Sequence, residues 1–302
     1  MVGKPKERII EMICFHHNDN DGRCGAAIVA RADRNGVLKK RMGDDVTVEF
    51  EEMDYNKAIP FWKIAADELV IIVDFSFKPE DMSKVLDLTE NVIWIDHHKT
   101  AEAYDYGRKL EGKRDFTEPG KSGALLAWEY FFPGEAVPLA VRLVSDYDTW
   151  QHKMTGDLEF QLGLDAKAWA KYPQNERWAR LFGDNLTVRA ISDSGIAIQS
   201  YRDSKCETYC TSFGYETEIG GHKAFAMNLY TFGSQGFGKR IKQYPICAGY
   251  VWDGSKWTVS LYSDLGVDTS VISKSHGGGG HSGASGFQCD ELPFSKSTTE
   301  DE

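Results

Sequence analysis

The sequence contains no apolar run long enough to cross a bilayer, and its first residues lack the apolar core and cleavage site of a secretory signal. Positive charge is also scarce, since 35 basic residues face 46 acidic ones and the formal net charge is −11. Tight, sequence-independent binding of long duplex nucleic acid needs a positive surface. We therefore expect a cytoplasmic protein that binds neither membranes nor long duplexes stably.

Cysteine is sparse as well, with six residues that form no CxxC pair. The spacing of Cys206 and Cys210 fits one face of a helix, but a structural zinc site of the usual kind needs a second pair. The pattern therefore predicts scattered, reduced thiols rather than a structural zinc site.

The first half of the chain alternates short apolar runs with segments of helical character. Strands are predicted at residues 9–15, 46–50, 68–75 and 91–95, and helices at residues 24–36, 57–67, 78–88, 122–132 and 137–150. Strands and helices in alternation predict an α/β fold in which helices cover both faces of a parallel sheet. Residues 156–213 are mainly helical in pattern and are predicted to connect this sheet to the last third of the chain.

That last third has a different texture, rich in strand-forming residues and glycine. It predicts a second, smaller domain of mixed α/β type. The stretch "WDGSKW" places an Asp-Gly pair between two apolar runs, which is typical of a hairpin turn. The tail at residues 295–302 is polar, and we expect it to be disordered.

Polar residues stand where three predicted strands end and where the helix of residues 137–150 closes. They are His16, His17, Asp19, Asp21, Asp74, Asp96, His97, His98, Asp146 and Asp148. Ligands of an open parallel sheet bind at the carboxyl ends of its strands, so we expect these side chains to converge at one edge. Each aspartate taken singly also fits a turn or a helix cap.

A cluster of carboxylates and imidazoles requires positive charge to balance it, because bare carboxylates repel one another and lose solvation. Divalent cations supply that charge. Carboxylate and imidazole ligands without thiolate suit Mn²⁺, Mg²⁺, Fe²⁺ or Zn²⁺. The number of candidate ligands exceeds what one ion needs. Two ions about 3.5–4 Å apart, bridged by one carboxylate, fit the number and are a usual device for phosphoester hydrolysis.

The motifs themselves are similar to those of a known family. In order, "HNDNDGRCGAA", "IIVDF", "WIDHH" and "VSDYD" resemble the four motifs of the DHH phosphoesterase superfamily, which includes enzymes of the nanoRNase type. The stretch "GGGGHSGASGF" at residues 277–287 resembles the signature of the DHH-associated C-terminal domain. The resemblance implies a DHH domain at residues 1–190, a helical linker at 191–214 and a substrate-binding domain at 215–302.

The resemblance also implies a role for each of the polar residues. It implies His17 and Asp19 for one ion, Asp21, His97 and Asp146 for the other, and Asp74 as the bridge between them. Asp148 is the alternative to Asp146. Asp96 is expected to fix the tautomer of an imidazole, and His98 to face the scissile phosphate and stabilise its developing charge.

Substrate-binding residues are expected in both domains. The candidates are Gly278, Gly279, Gly280, His276, His281, Tyr262, Ser122 and Asn228, with Ser234 and Gln235 near the last. A glycine run lets backbone N–H groups form a concave nest around an anion, although a flexible loop has the same composition. Tyr262 stands where the family often has an arginine, so it either stacks on a base or packs in the core. Ser122 also fits a helix cap.

The function predicted on these grounds is metal-dependent phosphodiester hydrolysis. Two Mn²⁺ ions, or Mg²⁺ as the alternative metal, would cleave short oligonucleotides or dinucleotides to mononucleotides. Other open interpretations are a polyphosphate or pyrophosphate hydrolase, a nucleotide phosphomonoesterase, a single-strand exonuclease, and a nucleotide sensor without activity. A homodimer is one option for the oligomeric state, which the sequence leaves open.

Overall fold

A computed structural model describes residues 10–43, 46–55, 57–229 and 231–296. The chain divides into two compact units, Met1–Ile198 and Gln199–Glu302. None of the helices in the described ranges could span a bilayer, because each is too short or too polar. Of the tail predicted to be disordered, residues 297–302 lie outside the described part.

The first unit is built on a parallel sheet with the strand order β2-β1-β3-β4. Its strands are β1 (Ile10–His17), β2 (Val46–Met53), β3 (Leu69–Val73) and β4 (Val92–Ile95). The helices of this unit are α1 (Asn20–Arg34), α2 (Val37–Met42), α3 (Pro79–Leu88), α4 (Gly123–Phe131), α5 (Leu139–Asp148), α6 (Asp157–Asp165) and α7 (Glu176–Gly183). The predicted α/β class with a parallel sheet is confirmed.

Both faces of this sheet are buried, which explains why its strands are continuous apolar runs. In β3, Ile71 and Val73 join a core formed with α1, α4 and α5 on one face. Val70 and Ile72 join a second core on the other face, where α3 contributes Met82 and Val85. Helices therefore cover both faces, as the alternation of strands and helices predicted.

The helix predicted at residues 57–67 is wrong. The structure has only a short 3₁₀ helix there, Phe61–Lys63. Pro60 explains the difference, because proline has no N–H to donate and disfavours the helical conformation of the residue before it. Three more 3₁₀ helices lie at Lys99–Ala103, Ala168–Lys171 and Gly233–Lys242.

A long helix, α8 (Asn185–Phe213), begins in the first unit and ends in the second. The second unit is a six-stranded sheet of order β5-β6-β7-β8-β10-β9, in which β6 and β7 are parallel and the other pairs antiparallel. Its elements are β5 (Tyr215–Ile219), β6 (His222–Met227), β7 (Ile246–Trp252), β8 (Trp257–Tyr262), α9 (Thr269–Ser275), β9 (Gly279–Gly280) and β10 (Ala284–Cys289).

The hairpin predicted from "WDGSKW" is confirmed as the connection between β7 and β8. Asp253 explains the turn, since its Oδ1 accepts hydrogen bonds of 2.8 Å from the backbone N–H groups of Ser255 and Lys256. Gly254 adopts a φ of 102°, a left-handed conformation that glycine takes without steric cost.

Candidate metal centre

The polar residues after the strands of the first unit meet at the carboxyl edge of its sheet. His17 is the last residue of β1, Asp74 follows β3, and His97 follows β4 by two positions. The strands are parallel, so their ends lie side by side even though the residues are far apart in sequence. Asp19 caps α1, with Oδ1 accepting a 2.8 Å hydrogen bond from Gly22 N–H.

His17, Asp19 and Asp74 form one group of side chains that could hold a metal ion. The Nδ1 atom of His17 lies 2.5 Å from Asp19 Oδ2 and 3.7 Å from Asp74 Oδ2. Asp21, His97 and Asp148 form a second such group. Here His97 Nε2 lies 3.2 Å from Asp148 Oδ2 and 3.8 Å from Asp21 Oδ2.

Asp74 lies between the two groups. Its Oδ2 faces His17, whereas its Oδ1 lies 3.1 Å from Nε2 of His97. The side chain is fully buried, yet neither oxygen has a hydrogen bond of suitable geometry within the described residues. Its backbone has a φ of 55°, which is uncommon outside glycine and is tolerated best by Asp and Asn. One carboxylate thus presents an unsatisfied oxygen to each group.

Asp21 is positioned by the helix that begins 102 residues later. Its two carboxylate oxygens accept hydrogen bonds of 2.7 and 3.1 Å from the N–H groups of Gly123 and Ala124 at the start of α4. A helix N-terminus has free N–H groups and a partial positive charge, so it stabilises a buried carboxylate. A glycine at position 123 also lets the start of α4 pack against Asp74, because a Cβ there would lie 2.5 Å from the Asp74 Cβ.

Asp96 holds the histidine pair rather than joining either group. Its Oδ1 lies 2.7 Å from Nδ1 of His98 and accepts a 2.8 Å hydrogen bond from the backbone N–H of His97. Its Oδ2 accepts from the hydroxyl of Ser76. The carboxylate is fully buried and engaged on both oxygens. It therefore orients the ring of His98 and leaves the Nε2 atom of that ring as its outward nitrogen.

The charges of the centre conflict in the absence of a cation. Burial, together with the negative charges of Asp21 and Asp19, raises the pKa of Asp74 well above its usual value. Burial and Asp21 do the same to the pKa of Asp148. For His17 burial opposes protonation, but the neighbouring carboxylates of Asp19 and Asp74 raise its pKa to about 10. The unsatisfied oxygens and the oxygen and nitrogen donors fit divalent cations, which would relieve this repulsion.

No family model matches the sequence. The chain is 26% identical over 319 residues to the uncharacterized protein R106 of Acanthamoeba polyphaga mimivirus, in an alignment that covers 95% of this chain and 70% of the viral protein. The structure of this chain is similar to the DHH domain of a member of the s1p family of ribosomal proteins. The TM-score is 0.58 and the identity 15%, and the alignment covers 92% of this chain and 82% of that chain. It is also similar to the pGpG-specific phosphodiesterase PggH from Vibrio cholerae, with a TM-score of 0.51, 14% identity and 93% of each chain covered.

The chain has the fold of these two structures, one of which is a DHH domain. Within this DHH fold, the structure brings together five of the six ligands expected from the sequence and replaces the sixth. Asp146, the expected ligand, lies elsewhere: its Oδ2 accepts a 2.8 Å hydrogen bond from Met154 N–H, which fixes the loop after α5. Asp148 takes the place beside His97.

The spacing of residues along α5 indicates, from the sequence alone, that Asp148 rather than Asp146 faces the candidate metal centre. Residues three and four apart lie on the same face of a helix. Asp148 follows Val144 by four positions and Val141 by seven, and both valines are buried against the sheet. Asp148 therefore continues the inward face of α5 at the end where the metal centre lies.

Ser122 was predicted as a substrate contact or a helix cap, and the structure supports only the cap. Its hydroxyl oxygen accepts from Leu125 N–H at the start of α4, and the residue is fully buried. The substrate role of Ser122 stays a prediction.

One exposed aromatic residue beside the centre was missed from the sequence. Tyr55 lies two residues after β2, with its ring centroid 5.6 Å from that of His17 and 6.0 Å from that of His98. The only sequence signal is its place just beyond a strand end, in "EEMDYNK".

The glycine run of the second unit is folded differently from the predicted nest. The N–H groups of Gly277 and Gly278 already donate to the carbonyl oxygens of Lys274 and Ser273, so these donors are not free for an anion. Gly279 and Gly280 form β9 and pair with β10. A glycine is needed at Gly278 for packing, since a Cβ there would lie 2.1 Å from the carbonyl oxygen of Gly286.

The other substrate candidates of the second unit differ in exposure. His276 and His281 are exposed, and the ring of His276 stacks on Phe287 at a centroid distance of 4.4 Å. Tyr262 is partly buried with its ring 6.0 Å from that of Phe237, so packing accounts for part of its role. Asn228 is exposed. Of the two further loop candidates, Gln235 accepts a hydrogen bond from Arg202 and Ser234 is partly buried.

Proposed function

We propose that this protein is a two-metal phosphodiesterase that hydrolyses short oligonucleotides or dinucleotides to mononucleotides. The observation that carries the proposal is the position of Asp74 at the carboxyl edge of a parallel sheet: it belongs to the group with His17 and Asp19 that could hold a metal ion, and its Oδ1 lies 3.1 Å from Nε2 of His97 in the other group. A carboxylate placed between two imidazoles in this way has no structural explanation in the hydrogen bonds of the described residues, because both Asp74 oxygens lack them.

In this proposal each of two cations would have its own set of ligands. His17, Asp19 and Oδ2 of Asp74 would hold the first, and the second would be held by Oδ1 of Asp74 with a group of three further side chains, Asp21, His97 and Asp148. Oxygen and imidazole ligands without thiolate favour Mn²⁺, with Mg²⁺ as the alternative. When bound, such a pair of ions supplies a nucleophilic water at neutral pH and neutralises the charge of the phosphate.

The remaining chemistry belongs to the chain. Asp96 engages Nδ1 of His98, so Nε2 is the nitrogen that faces the substrate, and in the protonated ring it donates to a phosphate oxygen. Fixing the ring before the substrate arrives lowers the reorganisation that the reaction requires. The α4 N-terminus holds Asp21 in place through two N–H groups, which keeps the second group rigid.

The preference for short substrates is supported by charge and by similarity. A net charge of −11 disfavours a long polyanionic strand beyond the metal centre. The similar Vibrio cholerae structure is described as a phosphodiesterase specific for pGpG, a dinucleotide. A first unit that carries the chemistry, a second unit that binds substrate, and action in the cytoplasm belong to the same proposal.

The test is a substrate series assayed with Mn²⁺. We expect a linear dinucleotide to yield mononucleotides faster than inorganic pyrophosphate, an adenosine monophosphate or a long single strand is hydrolysed. Asp74→Asn should be inactive, whereas the matched variant Asp87→Asn, which changes an exposed aspartate of α3, should behave as the wild type. No turnover of any dinucleotide, or full activity in Asp74→Asn, would refute the proposal.

A further inference from the structure

Tyr55 is an aromatic ring exposed beside the candidate metal centre. It lies almost parallel to Phe75, with the ring centroids 4.8 Å apart and the planes inclined by 31°. Phe75 is 4% exposed and belongs to the core under the sheet, whereas Tyr55 is 51% exposed. The tyrosine ring thus packs against a buried phenylalanine while about half of the residue remains exposed.

The position of this ring is fixed relative to the metal-binding side chains. His17 and His98 approach Tyr55 at 5.6 and 6.0 Å between centroids, inclined at 59° and 79°. Both imidazoles are inclined to the tyrosine ring rather than stacked flat on it. Tyr55 is therefore adjacent to the place where the phosphate of a substrate would lie.

We infer that Tyr55 is a stacking platform for the planar base of the nucleotide whose phosphate occupies the metal centre. Every nucleobase has a π-face, and a tyrosine ring offers a large, rigid surface with few torsions to immobilise. This inference rests on the proposed function, and it makes Tyr55 a determinant of specificity for nucleotides over inorganic phosphates.

The exposure of the ring separates this role from a purely structural one. A tyrosine that only supported Phe75 or the histidines would be covered by them, as Phe75 itself is. Large aromatic residues exposed at a site of polar chemistry are typical of recognition surfaces. The base contact proposed here needs no hydrogen bond, so it would accept different bases.

The experiment compares binding of adenosine 5′-monophosphate and ribose 5-phosphate to the full-length, Mn²⁺-saturated protein by calorimetry. The two ligands share the phosphate and the sugar and differ in the base. Tyr55→Ala should weaken the binding of adenosine monophosphate about 5- to 150-fold, the range expected for loss of one stacked base, and leave the binding of ribose 5-phosphate unchanged. Tyr55→Phe should bind both ligands as the wild type does.

A matched control removes an equally exposed tyrosine from a distant place. Tyr172 is 59% exposed and lies by the C-terminal end of α1, where Arg34 donates to Gln174 O. The 15-residue helix places this end roughly 20 Å from Asp19. Tyr172→Ala should therefore leave both affinities unchanged.

The outcomes distinguish this inference from the proposed function. If Tyr55→Ala lost affinity equally for both ligands, the ring would only support the metal centre. If it lost no affinity for either ligand, the base would bind elsewhere. A wild-type protein that does not prefer adenosine monophosphate over ribose 5-phosphate would also overturn the inference. If the preference depends on Tyr55 but no phosphodiester is cleaved, the platform stands and the proposed activity is wrong.

Discussion

Gly123 and Asp74 pack so closely that a methyl group on the glycine would come within 2.5 Å of the aspartate Cβ and 2.9 Å of its Oδ1. Gly123→Ala should therefore displace the shared carboxylate or the first turn of α4. We expect its affinity for Mn²⁺ to fall on the order of 10-fold, in line with about 1–3 kcal/mol for overpacking. Calorimetric titration with Mn²⁺ measures this directly.

Gly183→Ala is the control for that change. Gly183 ends α7, and a Cβ there would meet no atom within 4 Å. Its Mn²⁺ affinity should equal that of the wild type. An unchanged affinity in Gly123→Ala would show that the centre tolerates a shift of α4.

The choice between Asp146 and Asp148 gives a second prediction. Asp148→Asn should lose the charge beside His97 and bind the second Mn²⁺ ion at least about 10-fold more weakly. Asp146→Asn keeps an oxygen that can accept from Met154 N–H, so its metal affinity should be unchanged and its stability lowered by less than about 1 kcal/mol. The stoichiometry of Mn²⁺ binding distinguishes the two variants, and the reverse result would restore Asp146 as the ligand.

Metal removal provides a third prediction. The pKa of Asp74 is raised by burial and by Asp21 and Asp19, so its ionised form is unfavourable without a cation. In the presence of a chelator, Asp74→Asn should be more stable than the wild type by about 1 kcal/mol or more, because a buried, repelled carboxylate has been replaced by a neutral amide.

Addition of Mn²⁺ should reverse that order. An ion present at about 100 times its Kd stabilises the native state by about 2.7 kcal/mol, and the wild type should receive more of this stabilisation than the variant. Thermal denaturation with chelator and with Mn²⁺ measures both effects. Equal responses of the two proteins to Mn²⁺ would argue against Asp74 as a shared ligand.

Two adjacent glycines of the second unit give a fourth prediction. Gly278→Ala should destabilise the protein by about 1–3 kcal/mol, because its Cβ would overlap the carbonyl oxygen of Gly286. Gly279→Ala should be tolerated, since a Cβ there meets nothing within 4 Å. Denaturant titration of the two variants compares them directly, and equal stability would contradict the packing role of Gly278.

The edge of the sheet at which the site forms was predictable because parallel strands end side by side. The apolar runs located β1, β3 and β4. The polar residues that follow these strands, such as Asp74 and His97, therefore had to lie at the same edge of the sheet. Two-sided burial of the sheet followed from the same runs, which lack alternation. These inferences needed only local sequence and the geometry of a parallel sheet.

The parts that were not predictable depend on contacts between distant segments. The N–H groups of Gly277 and Gly278 donate to carbonyl oxygens of α9, and Gly279 and Gly280 pair with β10, neither of which composition reveals. Tyr55 is positioned by its packing against Phe75, a residue 20 positions later in the sequence. Asp146 and Asp148 lie on different faces of α5. Helical spacing distinguishes these faces, but matching the sequence to a motif does not.

The hydrogen bonds from Gly123 and Ala124 to Asp21 link the beginning of the chain to a helix formed much later. During synthesis on a ribosome, β1 and α1 would emerge long before the donors that orient this carboxylate. In the proposed centre, firm binding of a cation by Asp21 would therefore have to wait until α4 has been made.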